Sequence, residues 1–341
     1  MKLLSPERFS DILNQYSKLS PLMIIGDVGV DKYTQGEVKR ISPEAPVPVL
    51  NVRGEWEKLG LAANISHNLK TLGVNSTLCG VVGEDLNATR FENLLEACEL
   101  KTWGIVRDDT RLTTFKERVV TPTQQICRID YESGEFIGNK TQKLLLDRIN
   151  DFSSSHGAVI LEDYAKGTLE KDFVREVIKK LRSENKIVAV DPGREINPRY
   201  YSGATLLKPN FEEAGIMVGD LTSVYDQKNV REMARILSQE LEIEKIVITL
   251  GKEGMAFYDS DSGDYEVIPT VASEVFDVSG AGDTAISLLV ASLEAGASLR
   301  ESVWMSNCGS GVVVAKRGTA TVDIDELRQF YQRLQARYEQ K

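Results

Sequence analysis

Apolar and polar positions alternate along this chain with two periods, and their order predicts an α/β fold. Leu22-Met23-Ile24-Ile25 is a short apolar run that stops at Gly26-Asp27, as a buried strand does. Leu61 to Leu72 has helical spacing and stops at Gly73. Ser76 to Val82 predicts a strand and Leu86 to Cys98 a helix. From Gly157 the rhythm becomes regular. Strands are predicted over 158–161, 187–190, 205–207 and 245–250, and helices over 169–182, 230–241, 281–294, 299–315 and 324–335. A further apolar, β-like run covers Val267 to Val278. Strands separated by helices argue for a central, mostly parallel sheet flanked by helices on both faces. Such sheets hold ligands beyond the carboxyl ends of their strands. Those ends carry Asp27, Glu162-Asp163, Asp191, Asn210 and Gly251.

Some segments break the rhythm. Thr113 to Arg118 and Gln125 to Tyr131 alternate like a hairpin. Arg40 to Val49 (RISPEAPVPV) has spaced prolines, which suit an extended edge segment. With residues 38–52 these predict a small separate β-sheet, inserted from about residues 33–52 and 112–132 into a single domain spanning 1–341.

The chemistry concentrates in Asp277-Val278-Ser279-Gly280-Ala281-Gly282-Asp283-Thr284, a small-residue turn that opens an amphipathic helix. A helix start presents free N–H groups and the positive end of the helix dipole, which together attract an anion. Asp283 inside such a site is awkward unless it takes a proton from a nucleophile, so the segment suggests phosphoryl transfer to a hydroxyl. Two other readings stay open here. Gly280-x-Gly282-x-x-Ala285 satisfies a loose dinucleotide fingerprint, although no ribose-binding acid follows at the expected distance. A plain glycine-rich helix start is the other.

Further candidates are individually ambiguous. Gly251-Lys252-Glu253 does not complete a P-loop, so Gly251 to Gly254 is either a hairpin turn or a loop over a nucleotide. Asn210-Phe211-Glu212-Glu213 follows a strand and Pro209. It reads as an N-cap with an acidic first turn, or as an amide and carboxylate able to hold hydrated Mg²⁺. Asp31 is either a loop carboxylate or an acceptor for sugar hydroxyls. Arg40, Lys116, Lys166 and Arg194 are loop or lid cations.

Composition narrows the partners. A formal net charge of −10 argues against a general nucleic-acid surface. No apolar run approaches the ~20 residues that span a bilayer, and residues 1–20 lack the apolar core of a signal peptide. Cys79, Cys98, Cys127 and Cys308 show no metal spacing and predict reduced, buried thiols in a cytoplasmic protein.

In order and chemistry these segments resemble the ribokinase-like (PfkB) carbohydrate kinases. Asp277, Gly280, Ala281, Gly282 and Asp283 match that family's D-[TS]-x-G-A-G-D signature, and Asn210-x-x-Glu213 matches its N-x-x-E motif. RISPEAPVPV, Asp163-Tyr164-Ala165-Lys166-Gly167, Gly203-Ala204-Thr205 and Lys316-Arg317-Gly318-Thr319 resemble one subgroup, the D-glycero-β-D-manno-heptose-7-phosphate kinases. The likeness runs from about Leu22 to Val322. It implies a ribokinase-like fold with a small β lid that often mediates dimers, hence a homodimer. It implies ATP and Mg²⁺ as cofactors, leaves room for a monovalent cation, and makes a small-molecule sugar phosphate the partner. By the same resemblance Asp283 would be the base, and Gly280, Ala281 and Gly282 the anion hole. Asn210, Phe211, Glu212, Glu213, Thr249, Gly251, Gly254 and Asn307 would lie near ATP, with Asn210 and Glu213 near the metal. Asp31, Arg40, Gly60, Asn64, Lys116, Asp163, Lys166 and Arg194 would face the sugar.

Three departures fall on the sugar side. Leu61 replaces a glycine in Gly60-Leu61-Ala62-Ala63-Asn64, Gly193 replaces a lysine in Asp191-Pro192-Gly193-Arg194, and Phe115 replaces a small polar residue. Arg194 is not equivalent to that lysine. A kinase of another sugar or sugar phosphate is therefore an open alternative. So is a non-catalytic sugar-phosphate sensor, against which the intact Asp283 argues. Neither His67 nor His156 sits in an H-x-G-H motif, so no nucleotidyltransferase activity is expected.

Overall fold

The computed structural model describes residues 3–194, 196–219, 225–316 and 318–339; Arg317 of the Lys316 to Thr319 motif lies outside them. In chain order the elements are α1 (Pro6–Tyr16), β1 (Leu22–Gly26), β2 (Val28–Ile41), β3 (Pro48–Leu61), α2 (Ala62–Thr71), β4 (Ser76–Gly83), α3 (Leu86–Ala97) and β5 (Gly104–Asp108). Then come β6 (Thr114–Val120), β7 (Gln125–Tyr131), α4 (Asn139–Ser153), β8 (Val159–Glu162), α5 (Lys171–Ser183), β9 (Val188–Asp191), β10 (Leu206–Leu207), α6 (Phe211–Met217) and α7 (Gln227–Leu241). The chain finishes with β11 (Lys245–Thr249), β12 (Met255–Asp259), β13 (Tyr265–Ile268), α8 (Ala281–Glu294), α9 (Leu299–Val313) and α10 (Ile324–Glu339). This is the ribokinase-like α/β fold.

The large sheet has nine strands in the order β13-β12-β11-β10-β9-β8-β1-β4-β5. It is parallel from β11 to β5, and β12 and β13 add antiparallel to one edge. β1 lies inside and reads apolar at every position because both of its faces are covered. Leu22 and Ile24 join the core under α1, α2, α8 and α9, where Trp304 is fully buried. Met23 and Ile25 join the opposite core with Leu145 of α4, Phe173 of α5 and Leu237 of α7. Each such side chain contributes roughly 1.5–3 kcal/mol through burial. Among the described residues no helix is long and apolar enough to cross a membrane.

The small sheet has the order β3-β2-β6-β7. Its strands are longer than the sequence suggests, because β2 starts two residues after β1 ends and β3 runs directly into α2. RISPEAPVPV is not a continuous edge segment. It forms the tip of the β2–β3 hairpin, with Ser42 N donating to Val47 O at 2.8 Å. Pro43 and Pro46 fall between the strands, where a missing N–H costs no ladder bond. The apolar run to Val278 is a strand only as far as Ile268. Beyond Pro269 the chain loops outward, leaving Val275, Phe276 and Val278 exposed, and the N–H groups of Phe276 and Asp277 turn to Val314 O. Cys127 is exposed on β7, and all four cysteines are free.

β1 approaches β8 closely at its carboxyl end. A Cβ on Gly26 would sit 2.0 Å from the Glu162 carbonyl oxygen, and two paired backbones cannot yield that distance cheaply. Gly26→Ala should therefore lower unfolding stability by at least about 2 kcal/mol, measured as a shifted urea midpoint. A wild-type midpoint would contradict the close packing.

Candidate active site

The first turn of α8 is built open. Its N-cap, Gly280, has φ 79°, a left-handed conformation that glycine adopts without cost. A Cβ there would lie 2.9 Å from Asn64 Nδ2. No side chain caps this helix. Ala281 N–H turns back to Val278 O, while the next N–H groups precede the first possible helical acceptor. Gly280, Gly282 and Asp283 line a cavity of about 670 Å³ beyond the strands' carboxyl ends.

Asp283 is 4% exposed. Asn64 Nδ2 donates to its Oδ2 at 2.6 Å, and the Tyr164 hydroxyl donates to its Oδ1 at 2.8 Å. Burial pushes the carboxyl up to about 6, with Asp191 adding to the rise, while Asn64, Tyr164 and Lys208 oppose it. Asp277, the signature's other acid, plays a different part. Its carboxylate accepts from Ser279 N at 2.9 Å and Gly318 N at 2.9 Å, closing the loop before the helix.

Three consecutive strand ends supply the charges under the cavity. Glu162 ends β8, Asp191 ends β9 and Lys208 follows β10. Lys208 Nζ lies 2.7 Å from Asp191 Oδ2, both side chains nearly buried. Burial disfavours the ammonium, but Asp191 and Glu162 outweigh it and hold its pKa above the usual lysine range. Glu162 is 3% exposed, and its Oε2 has no partner among the described residues. Burial, then Asp191 and Asp283, push its carboxyl well above the ordinary range. Sequence patterning alone does not bring Lys208 or Tyr164 to the site and marks Glu162 and Asp191 only as strand ends. A lysine directly after an apolar strand was the available signal.

The cavity gathers most of the expected nucleotide-side residues: Asn210, Phe211, Glu212, Glu213, Thr249 and Gly251. Asn210 is an N-cap that also lines the cavity. It caps α6 in a reciprocal box, with Asn210 Oδ1 accepting Glu213 N at 2.9 Å and Glu213 Oε2 accepting Asn210 N at 2.8 Å, and both face the cavity. Gly251 to Glu253 is the turn between β11 and β12. Gly254 is a packing glycine at φ 101°, where a Cβ would lie 2.1 Å from Ile268 O. Asn307 is buried on α9 and donates to Pro269 O at 2.8 Å. Neither of these two residues lines the cavity.

On the other side, Asp163 and Arg194 line the cavity, although Arg194 is exposed and paired with Glu212 at 2.7 Å. Asp27 organises the loop after β8. Its carboxylate accepts from the backbone N–H of Tyr164, Lys166 and Thr168 at 3.0, 2.9 and 3.0 Å. Asp163 is pushed to about 6 by burial and by Asp27, against hydrogen bonds from Tyr201 and Ala165. Lys166 pairs with Glu132 at 2.7 Å, and Lys116 Nζ sits 5.8 Å over the Tyr164 ring. Asp31 lies within β2, not in a loop, and is bound by Arg118 at 2.6 Å with Gly60 alongside. Arg40 does not join them. It is exposed at the tip end of the β2–β3 ladder, the opposite end from Gly60.

The departures have structural readings. Leu61 has φ 57° and ψ −142°, a conformation that costs a non-glycine residue about 1–3 kcal/mol, and its buried side chain holds it there. Gly193 has little room for a side chain, since a Cβ would meet Asp163 Oδ1 at 2.9 Å and Ile196 Cγ1 at 2.8 Å. Phe115 is buried at the base of the small sheet, edge-on to Tyr131.

The pfkB family carbohydrate kinase model matches residues 30–326. A bifunctional protein HldE from Wolinella succinogenes is 38% identical over 316 residues, covering 92% of this chain and 65% of that protein. The HldE of Helicobacter pylori (strain HPAG1) is 37% identical over 310 residues, covering 91% of this chain and 66% of its own. This chain thus spans about two thirds of the length of those relatives. Among solved structures, phosphofructokinase-2 of Escherichia coli in complex with potassium superposes with a TM-score of 0.77 at 16% identity, covering 93% and 99% of the two chains. An Arabidopsis thaliana ribokinase complexed with ribose and ATP gives 0.69 at 17% identity, covering 93% and 98%.

The raised carboxyl of Asp283 carries a stability consequence. Its folded pKa, about 6, lies above the unfolded value near 3.8. Between those values the folded state holds the extra proton, so stability is lost as pH rises through that window. Asp283→Asn should therefore stabilise the fold by about 1–3 kcal/mol at pH 8 and by less at pH 5, read from urea unfolding. Equal destabilisation at both pH values would sink this account.

Proposed function

The chain belongs to the pfkB family of carbohydrate kinases, and from that premise we propose that it moves the γ-phosphoryl group of ATP onto a sugar phosphate. The acceptor we assign is D-glycero-β-D-manno-heptose 7-phosphate, phosphorylated at its anomeric hydroxyl to the 1,7-bisphosphate. One observation carries the reading. A buried carboxylate, Asp283, is held by two donors at the uncapped start of α8, in a cavity that also contains the Lys208 ammonium. The relatives named HldE and the RISPEAPVPV tip support the choice of sugar.

Phosphoryl transfer asks for positioning and charge neutralisation more than for covalent chemistry. ATP with Mg²⁺ supplies the transferred group and part of that neutralisation. The donor set fits a hydrated Mg²⁺: Asn210 and Glu213 are oxygen donors facing the cavity, and the capping box engages one carboxylate oxygen of Glu213, leaving its other for the ion's waters. The N–H groups of Gly282 and Asp283, with Lys208, stabilise charge on the phosphoryl oxygens as the leaving group departs. Asp283 accepts the sugar hydroxyl proton as the new O–P bond forms. Asp31, Gly60 and Asn64 face the acceptor. The small sheet acts as the lid, and its exposed Ile41, Val47, Val52 and Ile129 support a homodimer through that surface.

The test is ADP release with Mg-ATP and a panel of sugar phosphates, alongside calorimetric binding of the same sugars. Tight binding without turnover would favour a sensor. Asp283→Asn should lower kcat at least ~10²-fold; near-normal turnover would remove it as the base. Leu61→Gly restores a residue suited to the local backbone, and higher activity with heptose 7-phosphate would mark Leu61 as a specificity determinant.

A further inference from the structure

Tyr164 is a feature of the cavity to which the transfer chemistry gives no role. It follows β8, lines the cavity and donates its hydroxyl to Asp283 Oδ1 at 2.8 Å. Its placement is fixed from two sides. Its backbone N–H is bound by Asp27 Oδ2 at 3.0 Å, and Lys116 of β6 in the small sheet lies over its ring at 5.8 Å. Asn64 on α2 holds the other Asp283 oxygen at 2.6 Å. The carboxyl is therefore gripped at both oxygens, each of which keeps a second lone pair for an incoming proton.

We propose that Tyr164 is a positioning residue for Asp283: its hydroxyl fixes the carboxylate's orientation and keeps it ionised so that it can receive the acceptor's proton. The charges around this pair make the hydroxyl matter. Facing Asp283 are Glu162 from β8, Asp191 from β9 and the Lys208 ammonium after β10, besides Asn64 and Tyr164 themselves. Burial and Asp191 favour the protonated acid, which cannot act as a base; Asn64, Tyr164 and Lys208 favour the carboxylate. Burial and the nearby carboxylates hold the Tyr164 phenol well above its usual range, so it stays a donor and does not compete for the proton. Lys116 over the ring adds a contact from the small sheet to the residue that sets the base.

The catalytic part of this inference rests on the kinase reading, so the experiment has an arm that needs no substrate. Protein labelled with ¹³C at the aspartate carboxyl is titrated by NMR, and Asp283 is identified as the resonance lost in Asp283→Asn. Its midpoint, about 6 in the wild type, should lie higher in Tyr164→Phe. An unchanged midpoint overturns the proposal. In the second arm, kcat for Tyr164→Phe should fall most at low pH and recover as pH rises, its acidic limb shifted by the same amount, with the acceptor KM changed less than about threefold. A large rise in acceptor KM with an unmoved acidic limb would make Tyr164 a sugar-binding residue and overturn the positioning role. Wild-type protein inert toward every sugar phosphate, with the NMR shift present, would remove the kinase reading and leave the Tyr164–Asp283 coupling standing. Tyr164→Phe removes one oxygen, and near-ultraviolet circular dichroism matching the wild type confirms intact packing.

Discussion

One buried ammonium sets the electrostatics of this molecule's cavity. Lys208 emerges from β10 between Asp191 and the first turn of α8, and its charge reaches Glu162, Asp191 and Asp283 together. Carboxylates this deeply buried would otherwise all protonate, because desolvation penalises each ion and each repels the others. With the Lys208 ammonium among them the protons distribute unequally. Glu162 keeps its proton most firmly, while Asp283 sits near the boundary. Lys208 thus leaves one positive charge facing the cavity and offsets part of the rise that burial and Asp191 impose on Asp283.

Much of the fold was legible because it follows from period and punctuation. Strands β1 and β9 end where apolar runs meet Gly26-Asp27 and Asp191, and α8 begins at Ala281 as its small-residue turn indicates. The misreadings share a physical cause. RISPEAPVPV and the run to Val278 are rich in proline or β-formers, and tertiary pairing decides whether such residues extend or turn. Pro269 ends β13, and exposed Val275, Phe276 and Val278 belong to a loop that no local pattern separates from a strand.

The site was legible in part for the same reason. Asp283, Gly280 and Gly282 form a contiguous motif, so sequence alone brings them together. Tyr164, Lys208 and Asn64 are far apart in sequence and converge only because β8 and β10 end, and α2 begins, at one edge. Arg40 shows the converse. Its motif is distinctive, yet the β2–β3 ladder carries it to the outer tip. The altered positions also differ in kind. Gly193 is crowded by Asp163, and Leu61 is strained at a conformation glycine would accept.

The internal place of β1 bears on how the chain is made. Its neighbours are β4 and β8, and Ile24 lies beside Ile160, more than a hundred residues later. The helices covering its Leu22–Ile24 face include α8 and α9, which leave the ribosome long after β1 does. A nascent chain therefore carries an unfinished apolar surface until those helices emerge, at an elongation rate of about 5–20 residues per second. Long-range parallel pairing of this sort closes slowly. The strand at the heart of the finished sheet is thus made long before the helices that cover it.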